Sequence, residues 1–252
     1  MAVYEKNLTS EEWGSIYNAT HISQIVKDLE NNRLSFQSIE MKKLTKENDR
    51  VLEIGCGSGA TSVYLAMNGR KCTALDFSKE ALACCVGVAE RCAVSVETAL
   101  ADATKDLPFE ENFFDVVFQA GLLEHFDKDT RIHLLKIWGK AGKKMVSIIP
   151  NAASIAYRTG KALLEQSGKW EYGMELPQYS LRNEFYEAGF DVEEEYTIGA
   201  SHALQFLPPK HYLRKALERW LKENPCEDDC GQGYLLVTIG KKTEKYHYVR
   251  DC

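Results

Sequence analysis

Residues 51–60, Val-Leu-Glu-Ile-Gly-Cys-Gly-Ser-Gly-Ala, constrain the fold of this chain more than any other stretch. An apolar run of strand length stops at Gly55, glycines recur at Gly57 and Gly59, and helix-forming residues resume at Ala60. Glycine at that spacing lets the main chain turn sharply and approach a ligand with no Cβ in the way. A buried strand running through such a turn into a helix is the opening unit of a parallel α/β sheet, whose ligands bind beyond the carboxyl ends of the strands. The chain that follows keeps the same rhythm. Apolar runs at 71–75, 94–99, 114–119 and 143–149 are separated by segments long enough for right-handed crossovers. Helices are predicted at 60–68, stopped by Gly69, at 79–91 behind a Ser78 cap, and at 129–140.

Either side of this core the pattern changes. Before Arg50 the chain reads as two or three helices, with Thr9-Ser10-Glu11-Glu12 as a capping box and a further helix over 35–45. After Pro150 come a helix over 152–166, an aromatic loop at 170–179, a helix over 181–188 ending at Gly189, and a helix near 210–223. Two late apolar runs, 190–198 and 234–239, suit an antiparallel pair. The expected organisation is a helical lid at 1–49 and one α/β domain at 50–252, with cap insertions at 152–179 and 201–233.

Charge and cysteine usage exclude several function classes. Lys plus Arg number 31 against 37 Asp plus Glu, a net charge of −6, so no broad basic field exists to hold a nucleic-acid backbone. No apolar run reaches the length of a membrane span, and the first twenty residues carry Glu5, Glu11 and Glu12 where a signal peptide would be basic. The eight cysteines lie mostly in apolar stretches, so free thiols in a cytoplasmic protein are expected. Cys226, Cys230 and Cys252 could supply three soft ligands, but structural zinc wants four in tighter pairs, and no metal is expected.

The glycine turn alone does not name its ligand, since residues 55–60 also satisfy the looser dinucleotide pattern G-x-G-x-x-A through Ala60. That leaves a nicotinamide oxidoreductase open. Electrostatics favours another ligand. Glu53, two residues before the first glycine, would repel a pyrophosphate and favour a ligand bearing an ammonium and a sulfonium. Asp76 closes the second strand 21 positions after Gly55, where a carboxylate accepts both ribose hydroxyls or caps the next helix.

Further ordered blocks follow the first: Ala74-Leu75-Asp76-Phe77-Ser78, Ala101-Asp102-Ala103, Leu107-Pro108-Phe109, Phe113-Phe114-Asp115-Val116-Val117 and Gly121-Leu122-Leu123-Glu124-His125-Phe126. In this order they resemble the class I S-adenosylmethionine-dependent methyltransferases over residues 50–151, and more loosely through 184–190. The resemblance implies a three-layer Rossmann-like fold around a mostly parallel seven-stranded sheet with a terminal antiparallel strand, joined by N-terminal helices and a helical cap. It implies S-adenosylmethionine as cofactor. Gly55, Cys56, Gly57 and Gly59 would line its methionine part, with Glu53 nearby. Asp76 would hold the ribose, Phe77 would pack on the adenine, and Asp102 with Ala103 would meet the adenine amino group. Gln119 and Ala120 would approach the methyl-bearing end, and Trp13 and Tyr17, one helical turn apart, would roof the cofactor or else pack a core.

Methyl transfer is an in-line displacement, so such an enzyme supplies position, a dry cavity and sometimes a base. His125 is the candidate base, because imidazole titrates near neutral pH. Asn151, Tyr157, Tyr172, Tyr179 and His202 are the candidate acceptor contacts, an aromatic and weakly polar set that suits a small organic molecule methylated on oxygen or nitrogen. Arg158, Lys161 and Arg182 are candidates to pair with an acidic acceptor or simply solvated helix faces. A monomer or homodimer is expected, and a non-catalytic sensor that kept the cofactor fold is the competing class.

Overall fold

The computed structural model describes residues 7–225 and 231–243, so Cys226, Cys230 and Cys252 lie outside the described residues. Seven strands form one sheet: β1 Arg50–Ile54, β2 Lys71–Asp76, β3 Glu97–Leu100, β4 Phe114–Ala120, β5 Gly142–Pro150, β6 Phe190–Ile198 and β7 Leu235–Lys242, in spatial order β3-β2-β1-β4-β5-β7-β6. The pairs among β1 to β5 are parallel. β7 runs antiparallel to both of its neighbours. The strand that closes the chain's sheet is thus inserted between β5 and β6, and the edge is left to β6. β3 begins at Glu97, three residues later than the apolar pattern suggests, and only Glu97–Leu100 pairs with β2.

Among the described residues ten α-helices accompany the sheet. α1 Ser10–Ile16, α2 Ile22–Glu30 and α3 Phe36–Leu44 precede it, and α4 Ala60–Met67, α5 Lys79–Arg91 and α6 Lys128–Ala141 cross between parallel strands. α7 Ile155–Gln166, α8 Arg182–Glu187, α9 Ala200–Ala203 and α10 Tyr212–Glu223 follow. Local chemistry sets their starts. Thr9 and Glu12 close the capping box of α1, while Ser35, Ser78 and Asp127 accept main-chain N–H bonds at the heads of α3, α5 and α6.

Alternation along the strands sorts the core. Leu52 and Ile54 of β1 pack with Leu134, Leu135 and Trp138 of α6 and Phe185 of α8. Val51 points to the opposite face, where Met41 of α3 and Leu65 of α4 cover it. A separate cluster, Tyr157, Trp170, Leu204 and Leu207, joins α7 to the segment around α9, and Leu213, Leu217 and Leu221 at helical spacing lay one side of α10 against it. From β1 the chain steps outward through β2 to β3, then crosses back to β4 on the other side of β1. The carboxyl ends of β1 and β4 therefore flank the switch point of the sheet, where open α/β sheets leave a crevice.

Candidate active site

A cavity of about 320 Å³ occupies that crevice. Gly55 and Gly57 form one wall with Leu75 and Asp76, and Phe77, Asp102, Ala103 and Thr104 extend it over β2 and β3. Ala120, Gly121, Leu122, His125 and Phe126 form the opposite wall after β4, Trp138 closes the depth, and Asn7, Leu8, Trp13 and Tyr17 make the roof. Its size is that of a small-molecule site.

Asp76 ties the glycine turn to α5. Its Oδ2 accepts the Gly57 N–H at 2.9 Å and its Oδ1 accepts the Ser78 N–H at 2.9 Å. Burial raises its pKa, and those main-chain donors pull it back. Two carboxylate oxygens offer about four acceptor positions, so hydroxyls of a ligand can still be received. Gly57 has φ +52°, and a Cβ there would stand 3.2 Å from the Tyr17 ring. The cavity wall and its roof meet at that point.

The roof is an aromatic ladder. Trp13 and Tyr17 stack with centroids 6.0 Å apart and planes 11° from parallel, and the Trp13 ring meets His125 edge-on at 5.5 Å. Gly14, between them, allows α1 to sit on the head of α5, since a Cβ there would meet Ser78 Oγ and Glu80 Oε2 at 3.0 Å. Burial, with Tyr172, Asp76 and Glu124 nearby, pushes the Tyr17 phenol up to about 12, so it stays protonated.

His125 lies in the tight turn Leu123–His125 and is buried. Its Nδ1 donates to the Met174 carbonyl. Burial lowers the imidazole pKa, against the pull of the Met174 and Gly121 carbonyls, so the ring is neutral at pH 7. Asp102 accepts from the Thr104 N–H at 2.9 Å and hydroxyl at 2.7 Å, which turns the chain along the cavity wall.

Four residues expected to touch the cofactor do not line this cavity. Glu53 is placed by the sequence reading at the strand mouth, facing a cation. Alternation turns it with Val51 toward α4, where its Oε2 accepts the Ser62 N–H at 3.0 Å and the Ser62 hydroxyl at 2.5 Å. Gly59 heads α4 with no side chain to cap it, and Glu53 supplies the missing acceptor from the strand beneath. Burial lifts that carboxyl to about 7. Gly59 faces α5 instead: a Cβ would stand 2.2 Å from Cys85 Sγ. Cys56 is buried under the turn beside Cys85, and that contact and burial raise its thiol. Gln119 is buried, donating to Ser147 Oγ at 2.6 Å and accepting from the Leu122 and Leu123 N–H groups, which bends the chain after β4 so that its neighbours reach the cavity.

The five acceptor candidates also lie outside the cavity lining. Asn151 is a buried clamp, its amide donating to the Gly231 and Gly233 carbonyls and accepting from the Ala153 N–H. Tyr157 is buried and donates to Glu175 Oε2, and His202 packs among Phe36, Phe206 and Tyr234. Tyr172 packs edge-on against Trp170, and Tyr179 accepts from Arg158 at 3.1 Å. The three basic candidates are engaged within the chain: Arg158 by Tyr179, Lys161 by Glu165 and Glu175, and Arg182 by Glu195. The sequence alone assigned no role to Leu122, Phe126 and Trp138, which line the cavity, or to Glu124, which is buried beside it. The signal for Glu124 was present in outline, as a charge inside the apolar run Leu122-Leu123-Glu124-His125-Phe126. Among the described residues no helix is long and apolar enough to cross a membrane.

Comparison with known proteins agrees with this geometry. The family model described as a methyltransferase domain matches residues 51–143. Norajmaline N-methyltransferase of Rauvolfia serpentina is 31% identical over 84 residues, which span 32% of this chain and 28% of that enzyme. Magnesium protoporphyrin IX methyltransferase of Synechocystis PCC 6803, solved with bound S-adenosylhomocysteine, superposes with a TM-score of 0.55 at 12% identity, covering 88% of this chain and 83% of that one. A Thermotoga maritima protein described as a S-adenosylmethionine-dependent methyltransferase, possible histamine N-methyltransferase, gives a TM-score of 0.58 at 18% identity, covering 89% and 97%. Residues 51–143 thus match a methyltransferase-domain family, and the sheet built around the switch-point cavity has the Rossmann-like fold of S-adenosylmethionine-dependent methyltransferases.

Proposed function

We propose that the protein transfers a methyl group from S-adenosylmethionine to an oxygen or nitrogen of a small-molecule acceptor. The observation that carries this reading is the Asp76 carboxylate, bonded to the Gly57 N–H inside a switch-point cavity roofed by Trp13 and Tyr17. A carboxylate at the end of β2 suits neutral ribose hydroxyls, and main chain without Cβ at Gly55 and Gly57 suits close approach of an amino-acid moiety. In this reading Phe77 and Asp102, which line the cavity together with Asp76, meet the adenine, and Ala120 and Gly121 face the reactive end.

When bound, S-adenosylmethionine supplies an electrophilic methyl on a sulfonium. The chain's own part is to orient and to keep water out. The aromatic roof and Trp138 dry the cavity, which favours a displacement that disperses charge. His125, neutral and edge-on to Trp13, is placed in this reading to receive a proton from an acceptor hydroxyl. Residues 1–49 act as a lid in this reading, and 152–179 and 201–233 as caps over the acceptor side. The buried thiols Cys56, Cys72, Cys84 and Cys85 are free, which suits a reducing cytoplasm.

Calorimetric titration with S-adenosylhomocysteine, S-adenosylmethionine and NAD tests the reading, followed by transfer of a labelled methyl to a metabolite extract. Binding of the first two without NAD, and label in a small molecule, are the expected results. Tight NAD binding would overturn the reading, and cofactor binding without turnover would favour a sensor.

A further inference from the structure

Glu124 is the one acidic side chain of the turn Leu123–His125, and it lies buried behind the cavity wall formed by Gly121, Leu122 and His125. Its side chain is buried, with the residue 2% exposed, and its Oε2 has no hydrogen-bond partner. A Cβ on Gly121 would stand 3.5 Å from its Oε1, and Gly121 and His125, on either side of it in the chain, both line the cavity. An unpaired carboxylate held away from water is costly unless a cation or a proton joins it.

The surroundings decide which partner fits. Leu176 donates its N–H to the Glu124 carbonyl at 2.7 Å, which brings Glu175 close on the neighbouring loop, and burial with that neighbouring charge raises the Glu124 carboxyl well above its usual range. Glu175 already has partners in Tyr157 and Lys161, and Lys161 is further engaged by Glu165 and by the face of Trp170 at 4.6 Å. One lysine thus serves Glu165 and Glu175, and Glu124 is left uncompensated. Aromatic rings flank this turn: Trp13 meets His125 edge-on at 5.5 Å and stacks with Tyr17, and the buried phenols of Tyr17, Tyr157 and Tyr234 are raised by burial and in smaller part by the Glu124 charge. An unpaired buried carboxylate among aromatic faces is the chemistry that selects an organic ammonium group.

We propose that Glu124 anchors the acceptor and that the acceptor is an amine, methylated on nitrogen. The inference rests on the methyltransferase reading and narrows it. Glu124 holds a proton while the site is empty and releases it to water as the ammonium enters; the bound ammonium then gives one proton to the Glu124 carboxylate, which frees the nitrogen lone pair. That pair forms the new N–C bond to the methyl carbon as the S–C bond breaks, its electrons staying on sulfur to leave S-adenosylhomocysteine. The product departs as the N-methyl ammonium, and Glu124 keeps its proton until the next ammonium enters.

The test titrates the protein saturated with S-adenosylhomocysteine with phenethylamine and tryptamine, and with their neutral counterparts phenethyl alcohol and tryptophol, at about pH 8. Parent protein should bind the amines at least about tenfold more tightly than the alcohols, the scale of one charge-assisted hydrogen bond. Glu124→Gln should erase that preference while binding S-adenosylhomocysteine as the parent does, which also shows that the variant is folded. Amines that do not bind, alcohols that bind equally well, or a preference that survives in Glu124→Gln would each overturn the inference. Failure of the parent to bind S-adenosylhomocysteine would instead overturn the methyltransferase reading.

Discussion

The Gly57 N–H and the Asp76 carboxylate, 19 residues apart in the chain, meet at 2.9 Å where β1 and β2 end side by side. One hydrogen bond therefore shapes the turn and aims the carboxylate into the cavity. The two functions share a group, so a change at either residue should be felt in binding before it is felt in folding.

Asp76→Ala should weaken S-adenosylhomocysteine binding by about tenfold or more, since losing a buried charged acceptor costs about 1.5–3 kcal/mol. Isothermal calorimetry measures it, with circular dichroism to establish the fold. Unchanged affinity in a folded variant would remove Asp76 from the cofactor site.

Two neighbouring glycines should fail differently. Gly57→Val puts a branched side chain at φ +52° against the Tyr17 ring, so it should abolish cofactor binding and unseat the roof, seen as brighter exchange between Tyr17 and solvent in hydrogen-deuterium measurements. Gly59→Ala drives a Cβ toward Cys85 in the body of α5, so it should lower stability by about 1–3 kcal/mol in urea unfolding. Equal losses of stability in both would contradict the separation of binding wall from packing contact.

The carboxyl of Glu53 sits at about 7 in the folded protein, above its ordinary 4.5, because burial disfavours its charge. Between those values the folded state holds a proton that the unfolded chain has released, so stability falls as pH rises through the window. Glu53→Gln should flatten the dependence of the urea midpoint between about pH 5 and pH 8, with a residual slope of the same sign from Glu175, raised by burial to about 7, and from Glu124 and Asp76, which burial also raises. A slope as steep as the parent's would show that Glu53 stays charged in the folded protein.

If α1 and residues 170–179 close over the site, amide exchange in both should slow when S-adenosylhomocysteine and a bound amine are present together. Protection confined to the Gly55 and Asp76 loops would mean that the acceptor enters elsewhere.

The sequence by itself determined the parallel α/β core, because strand-length apolar runs, glycine turns and capping residues such as Ser78 act over a few residues of chain. It also located Gly55, Gly57, Asp76 and Ala103 at one edge, since that edge follows from where strands end. What it could not settle was which way a side chain points once the strands are packed. Glu53 looks like a ligand contact in the chain, yet strand alternation turns it beneath α4, and Gly59 looks like cradle but is the space α5 needs. Asn151 and Tyr157 read as acceptor contacts, and distant partners at Gly231, Gly233 and Glu175 consume their polar atoms. The place of β7 between β5 and β6, and the unpaired burial of Glu124, arise only when segments far apart in the chain come together. Local pattern carries the elements, and long-range packing decides which polar groups are satisfied and which remain for a ligand.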